Sequence, residues 1–335
     1  MRLGFYMGYA PPGTNPTELV ELAQEAERLG YDSAWAAEAW GTDAATVLAW
    51  LAATTSTLKV GSAIFQMPAR TPANTAMTAA TLDLMSGGRF LLGLGLSGPQ
   101  VVEGWHGEPW GKPLLKTREY VEIVRSILRR ETLEYDGGQY QVPYAGPGAT
   151  GLGKPLKLMA RPLRAEIPIY IAAFKPRAVE LAAEIADGWL PIFFSPERAR
   201  ETFPAPFERD NGFDIAPAVP ALVADDVETA RDALRGYYAL YVGGMGARGA
   251  NFYNDLAVSY GYEKEAKEIQ DLFLDGKQRD AAAAVPAGLI DEMALVGPPE
   301  HMKDRLSAWR DSGATTLLIS TRDGATLRAV AEALS

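Results

Sequence analysis

The sequence predicts an α/β fold, a parallel (β/α)8 TIM barrel with insertions at its C-terminal mouth. Three observations lead there. Eight short apolar segments alternate with helical patterns along the chain, and strands that alternate with helices build parallel sheets. The run at residues 88–96 is apolar on both faces, as a strand covered by helices on both sides must be. Polar turns end these segments abruptly, Ser97-Gly98-Pro99 most sharply, and a barrel builds its site from such strand ends.

Residues 3–9 read as the first strand. Asn15 as N-cap, Pro16 at the first helical position and Glu18 in the capping box then announce a helix. Its Leu19, Leu22, Ala23, Ala26 and Leu29 share one face, and Gly30 stops it. Residues 33–37 form the second strand, which ends at Glu38-Ala39-Trp40 before a helix over about 43–56. Residues 58–65 form the third, followed by Thr71-Pro72 and a helix closed by Gly87-Gly88. The fourth is 88–96, with a helix over about 114–130. Residues 167–173, 189–194, 216–224 and 315–320 complete the eight. Pro176 opens the helix after the fifth, Ser195-Pro196-Glu197 caps the one after the sixth, and a terminal helix runs through Leu334. Two stretches break the repeat and are read as insertions in one domain spanning 1–335. Residues 132–166 carry a hairpin signal at 134–140 with a type I′-like turn at Gly137-Gly138, and residues 237–295 are helical and rich in Tyr.

Composition narrows the function. The 335 residues are 47% hydrophobic and 22% charged, enough to bury a full core. A formal net charge of −10 argues against nucleic acid and anionic membranes as partners and favours a small-molecule substrate. With no cysteine, thiolate catalysis, disulfides, iron–sulfur clusters and cysteine zinc sites are excluded. The two histidines, His106 and His301, have no metal-ligand spacing, so no metal is expected. The start of the chain carries no leader pattern and no run reaches about 18 apolar residues, which points to the cytoplasm. Gly93, Gly95 and Gly98 spell a dinucleotide fingerprint, but three strands precede it and Pro99 follows at once. Close packing inside the barrel explains Gly93 and Gly95 better.

The strand ends supply Met7, Tyr9, Glu38, Trp40, residues 63–66, Ser97, Gly98, Ala173, Phe174, Lys175, Phe193, Phe194 and Ser195. This set is mostly apolar and aromatic. It suits a flat conjugated ligand, whose burial yields about 25 cal/mol per Å². Glu38 is either a general acid or base or a cap for the helix near Asp43. Glu103, near Trp105 and His106, could pair with Glu38 as in a glycosidase, but the mouth lacks the polar residues a sugar demands. His106 is a candidate ligand contact.

Residues 37–44, 61–64, 89–105, 186–189 and 294–297 together resemble the luciferase-like oxidoreductases, in particular the branch that uses the deazaflavin coenzyme F-420. The resemblance spans the whole chain and implies a barrel with insertions, a flavin or deazaflavin at its mouth, and a homodimer. The Ala-rich helices over 43–56 and 71–86 fit such a dimer. It further implies that Glu38 and Trp40 border the cofactor ring and that a non-prolyl cis peptide joins Ala63 to Ile64. Ser97 and Gly98 would lie beside the cofactor chain, and Ala173, Phe174, Lys175 and Phe194 near its phosphate. Where several family members have a histidine after the acidic residue of strand two, this chain has Ala39; where the phosphate loop often has glycine, it has Phe174-Lys175. The proton donor, Glu38 or His106, and the choice between coenzyme F-420 and FMN therefore stay open. The implied function is hydride transfer between the deazaflavin and an organic substrate. The alternatives are an FMN-dependent monooxygenase or reductase, and a deazaflavin-binding protein without turnover.

Overall fold

In the computed structural model the described residues are 1–8, 15–209 and 212–334. Tyr9, expected at the end of the first strand, lies outside them. In chain order the elements begin β1 (Arg2–Gly8), α1 (Pro16–Arg28), β2 (Ser33–Ala36), α2 (Ala44–Thr54), β3 (Lys59–Ser62), β4 (Phe65–Gln66), α3 (Pro72–Met85), β5 (Phe90–Gly95), α4 (Pro99–Gly104) and α5 (Pro113–Leu128). A hairpin, β6 (Tyr135–Asp136) and β7 (Gln141–Val142), precedes β8 (Ile169–Ile171), α6 (Pro176–Ile185), β9 (Gly188–Trp189), α7 (Ala199–Thr202), β10 (Asp214–Ile215) and β11 (Ala218–Val223). Then come α8 (Val227–Ala239), α9 (Phe252–Ser259), α10 (Glu263–Leu274), α11 (Gln278–Ala283), α12 (Ala287–Met293), β12 (Leu295–Gly297), α13 (Pro299–Asp311), β13 (Thr316–Ser320) and α14 (Gly324–Leu334).

The helices start where the side chains dictate. Asn15, Asp43, Thr71 and Asp226 each accept a bond from a first-turn backbone N–H, and a cap of this kind contributes about 1 kcal/mol. None of the helices among the described residues is long and apolar enough to cross a membrane.

The main sheet is parallel and curled. From β1 it runs through β2, β3, β5, β8 and β9 to β10 on one side, and through β13 to β11 on the other. β10 and β11 are separated only by Ala216 and Pro217. The Ala216 N–H donates to the Trp189 carbonyl, while the Pro217 carbonyl accepts from the Leu318 N–H. One chain segment thus touches both ends of the curl.

Inside the curl, Trp35, Leu91, Tyr170, Leu190, Ala216 and Leu318 pack together. Trp35 and Tyr170 meet edge to face at 5.1 Å and need room from their neighbours. Gly61 and Gly188 give it: a Cβ on Gly61 would fall 2.4 Å from the Trp35 ring, and one on Gly188 2.4 Å from the Tyr170 ring. Gly93 likewise brings backbone to backbone, since its Cβ would lie 1.8 Å from the Ser62 carbonyl oxygen. The larger core, including Phe5, Met7, Phe65, Phe90 and Leu92, lies between sheet and helices.

Several expectations are corrected. Pro99 does not bar a helix after the fourth strand; it begins α4 as an N-terminal proline. The sixth strand is regular only over Gly188–Trp189, and it cannot run on to Phe194 because Phe193 adopts φ +55°. The turn at Gly137-Gly138 is not type I′, which requires positive φ at both central residues, and neither glycine has it. Instead the buried Glu119 carboxylate accepts from the N–H groups of Gly138, Gln139 and Tyr140. The end of the second insertion forms β12, which pairs with β11.

Candidate active site

Glu38 follows β2, and its side chain is 8% exposed. Its carboxylate accepts from the Ala44 N–H at 3.2 Å, the Gln66 N–H at 3.0 Å, and Arg70 Nε and Nη2 at 3.3 and 3.2 Å. The bond to Ala44 makes it a partner of Asp43 at the start of α2. Arg70 also pairs with Asp43 at 2.6 Å and sits 4.7 Å above the Phe65 ring. Burial opposes the charge of Arg70, but its bonds to Glu38 and its attraction to both carboxylates outweigh that, and its pKa rises. For Asp43 burial is again the largest influence, yet the Thr46 and Arg70 contacts outweigh it and hold the carboxyl below the usual aspartate range. Sequence reasoning missed Arg70, which stands immediately before Thr71-Pro72 and is joined to Glu38 only by the fold.

Gln66 connects this cluster to His106. Its side-chain Nε2 donates to the Ala39 carbonyl at 2.6 Å, and its Oε1 lies 2.9 Å from His106 Nε2. The structure therefore brings Glu38 and His106 to one network through a residue sequence reasoning had placed at a strand end without a role. Glu103 and Trp105 are exposed at the end of α4, and Trp40 is 53% exposed beyond β2.

The floor between these strand ends is apolar and small. The Ala63–Ile64 peptide is cis, as the resemblance implies. Tyr6 donates from its hydroxyl to the Ala63 carbonyl at 3.4 Å, and Tyr6, Ile64 and Ala172 cover the inner cluster of the curl. A Cβ on Gly95 would meet Ile64 at 3.0 Å and Ala172 at 3.5 Å, so three small or apolar residues converge there. Ser97 takes φ +64°, uncommon for a residue with a side chain. Gly98 next to it has room: a Cβ would meet only Gln100 Oε1, at 3.4 Å.

On the β8 and β9 side, the second insertion closes in. Phe174 lies 5.5 Å from Tyr253, and Lys175 Nζ is 4.4 Å above the Phe252 ring. The Ala173 carbonyl accepts from Trp189 Nε1 at 2.9 Å. Phe193 packs on Tyr237, Tyr241 and Tyr253. Phe194 is buried against Trp189, Phe207 and Trp309, and Met7 belongs to the outer core. Ser195 donates to Glu292, which also receives Arg198 Nε and the Tyr262 hydroxyl. A cleft of about 520 Å³ beside Glu197, Arg198, Glu292 and Arg305 holds charges already paired with one another.

Residues 1–316 match a family described as luciferase-like monooxygenase. The chain belongs to the luciferase-like monooxygenase family. A Mycobacterium tuberculosis protein named "Putative coenzyme F420-dependent oxidoreductase Rv3520c" is 42% identical over 343 residues, which cover 99% of this chain and 98% of that one. Among solved structures, the coenzyme F-420-dependent tetrahydromethanopterin reductase of Methanopyrus kandleri superposes with a TM-score of 0.83 at 23% identity, over 99% of this chain and 97% of its own. An F-420-dependent secondary alcohol dehydrogenase reaches 0.77 at 19% identity, over 99% and 97%. These two structural likenesses establish the shared luciferase-like fold.

Proposed function

We propose that this protein is a coenzyme F-420-dependent oxidoreductase that moves a hydride between the deazaflavin and a small organic substrate. The observation that carries this reading is the 42% identity, over nearly the whole of both chains, to the mycobacterial protein that bears a coenzyme F-420-dependent oxidoreductase name.

The residues present fit such a group. Ile64, Gly95 and Ala172 offer an uncharged face against which a flat ring could lie, Gly95 lacking the Cβ that would crowd Ile64. Ser97 and Gly98 would flank the cofactor chain, Ala173 and the backbone of Phe174 would border its phosphate, and exposed Lys175 supplies positive charge on that side. When bound, the deazaflavin supplies the carbon that gives or takes the hydride. The protein's own contribution is orientation and proton handling. Glu38, whose oxygens are occupied by Ala44, Gln66 and Arg70, serves as an anchor of the β2 end, and His106 is the group that carries a proton.

The proposal includes the frame. A closed (β/α)8 barrel in a single domain is supported by the 214–223 segment, which bonds to β9 and to β13. A homodimer through α2 and α3 is supported by their outer faces. These adjacent helices expose Trp50, Met77, Leu84 and Met85, and their only charged side chain, Asp83, is fully buried.

The test is a turnover experiment. Reduced coenzyme F-420, mixed with the protein and a panel of carbonyl acceptors, is expected to reoxidise in the absence of oxygen. Oxygen-dependent consumption of reduced FMN, with no reaction of the deazaflavin, would instead assign the protein to FMN chemistry.

A further inference from the structure

Gln66 decides which nitrogen of His106 bears the proton. Gln66 is 1% exposed, so water cannot replace its partners. The Ala39 carbonyl, 2.6 Å from the amide, can only accept, so the amide NH2 must face it. That leaves the amide oxygen, also only an acceptor, 2.9 Å from His106 Nε2. An acceptor in that place requires a hydrogen on Nε2. The backbone N–H of Gln66 is committed to Glu38, so the residue cannot slide to another register.

We propose that Gln66 is a positioning residue that holds His106 in its Nε2–H tautomer and confines proton uptake and release to Nδ1. The inference rests on the role given to His106 above. A proton arriving at the Nδ1 lone pair makes the imidazolium, whose Nε2–H stays bonded to Gln66. The same proton leaves from Nδ1 and restores the neutral ring, with no movement of Gln66 at either step. Both rival arrangements fail on the same chemistry. An Nδ1–H tautomer sets the Nε2 lone pair against the amide oxygen, and a flipped amide sets that oxygen against the Ala39 carbonyl. Each sets two acceptors face to face, with the buried Gln66 amide left unsatisfied, which disfavours it by about tenfold or more.

The chain has two histidines, and the other, His301, is exposed on α13, so His301→Gln leaves a protein with one imidazole to observe. Its ligand-free form, labelled with nitrogen-15 in histidine and held at a pH where the ring is neutral, is read by long-range proton–nitrogen correlation. The expected spectrum shows a single tautomer protonated at Nε2, with an N–H signal protected from exchange. Adding Gln66→Met should abolish that protection and move the nitrogen shifts toward a tautomer mixture. An Nδ1–H ring or an unprotected Nε2–H in the parent overturns the proposal, as do unchanged shifts and protection in a folded Gln66→Met protein. Should Gln66→Met fail to fold by circular dichroism, the parent spectrum decides alone. With coenzyme F-420 and a substrate, Gln66→Met is expected to lower kcat about tenfold and keep coenzyme affinity within about twofold. A changed tautomer with full turnover supports the tautomer assignment and overturns the proton-carrying role of His106.

Discussion

Glu38 shows how far a single residue could be read. The sequence offered two readings, a proton-transfer group at a strand end and a cap for the following helix, and the bond to the Ala44 N–H realises the second. What gives Glu38 its other partners was not legible, because Gln66 and Arg70 lie 28 and 32 positions away and meet it only after β3 has paired with β2. Glu38→Gln puts an NH2 among four donors, so it should lower stability by about 1.5–3 kcal/mol, the range for hydrogen bonds to a charged group. Denaturant unfolding measures this. If stability is unchanged and turnover falls about 100-fold, Glu38 is itself the acid or base. The cis Ala63–Ile64 peptide was expected only through the family wording of its strand, since nothing in local propensity sets it apart, whereas Ser97 and Gly98 stood out as the polar turn that ends the fourth strand.

At the scale of elements, most strands and helices could be placed because caps and apolar spacing announce them: Asn15, Asp43 and Thr71 each begin the helix they were expected to begin. The failures have local causes. The sixth strand was drawn too long because an apolar run hides the left-handed turn at Phe193, and the 137–140 turn was misread because its donors are met by Glu119 from α5. Gly93 and Gly95 were legible as close-packing positions, whereas Gly61 and Gly188, which face the Trp35 and Tyr170 rings, were not. Gly61→Ala must displace the Trp35 ring, and overpacking of this kind costs about 1–3 kcal/mol. Gly41, with nothing within 4 Å of its Cβ position, is the control. Thermal unfolding should separate Gly61→Ala from the parent by several degrees and leave Gly41→Ala within about one degree.

For the whole molecule, the chain's alternating pattern and family wording pointed to the fold and to the cofactor class, whereas the proposed dimer surface was visible only as two alanine-rich helices. The structure shows why those helices stand out: their exposed faces carry Trp50, Met77, Leu84 and Met85 with no exposed charge. Met77→Glu with Leu84→Glu should therefore shift light-scattering mass from dimer to monomer without loss of secondary structure. A parent that is monomeric at micromolar concentration would contradict the dimer. The central claim is that the mouth beside Gly98 holds coenzyme F-420. Gly98 has φ −101° and ψ 158°, which any residue adopts, so Gly98→Val adds bulk at the mouth without backbone strain. The direct measurement is an absorbance titration of parent and Gly98→Val proteins with coenzyme F-420 and with FMN. The account predicts that the parent binds coenzyme F-420 more tightly than FMN and that Gly98→Val weakens this binding at least about tenfold. Tighter binding of FMN, or equal affinity of a folded Gly98→Val protein for coenzyme F-420, would contradict it.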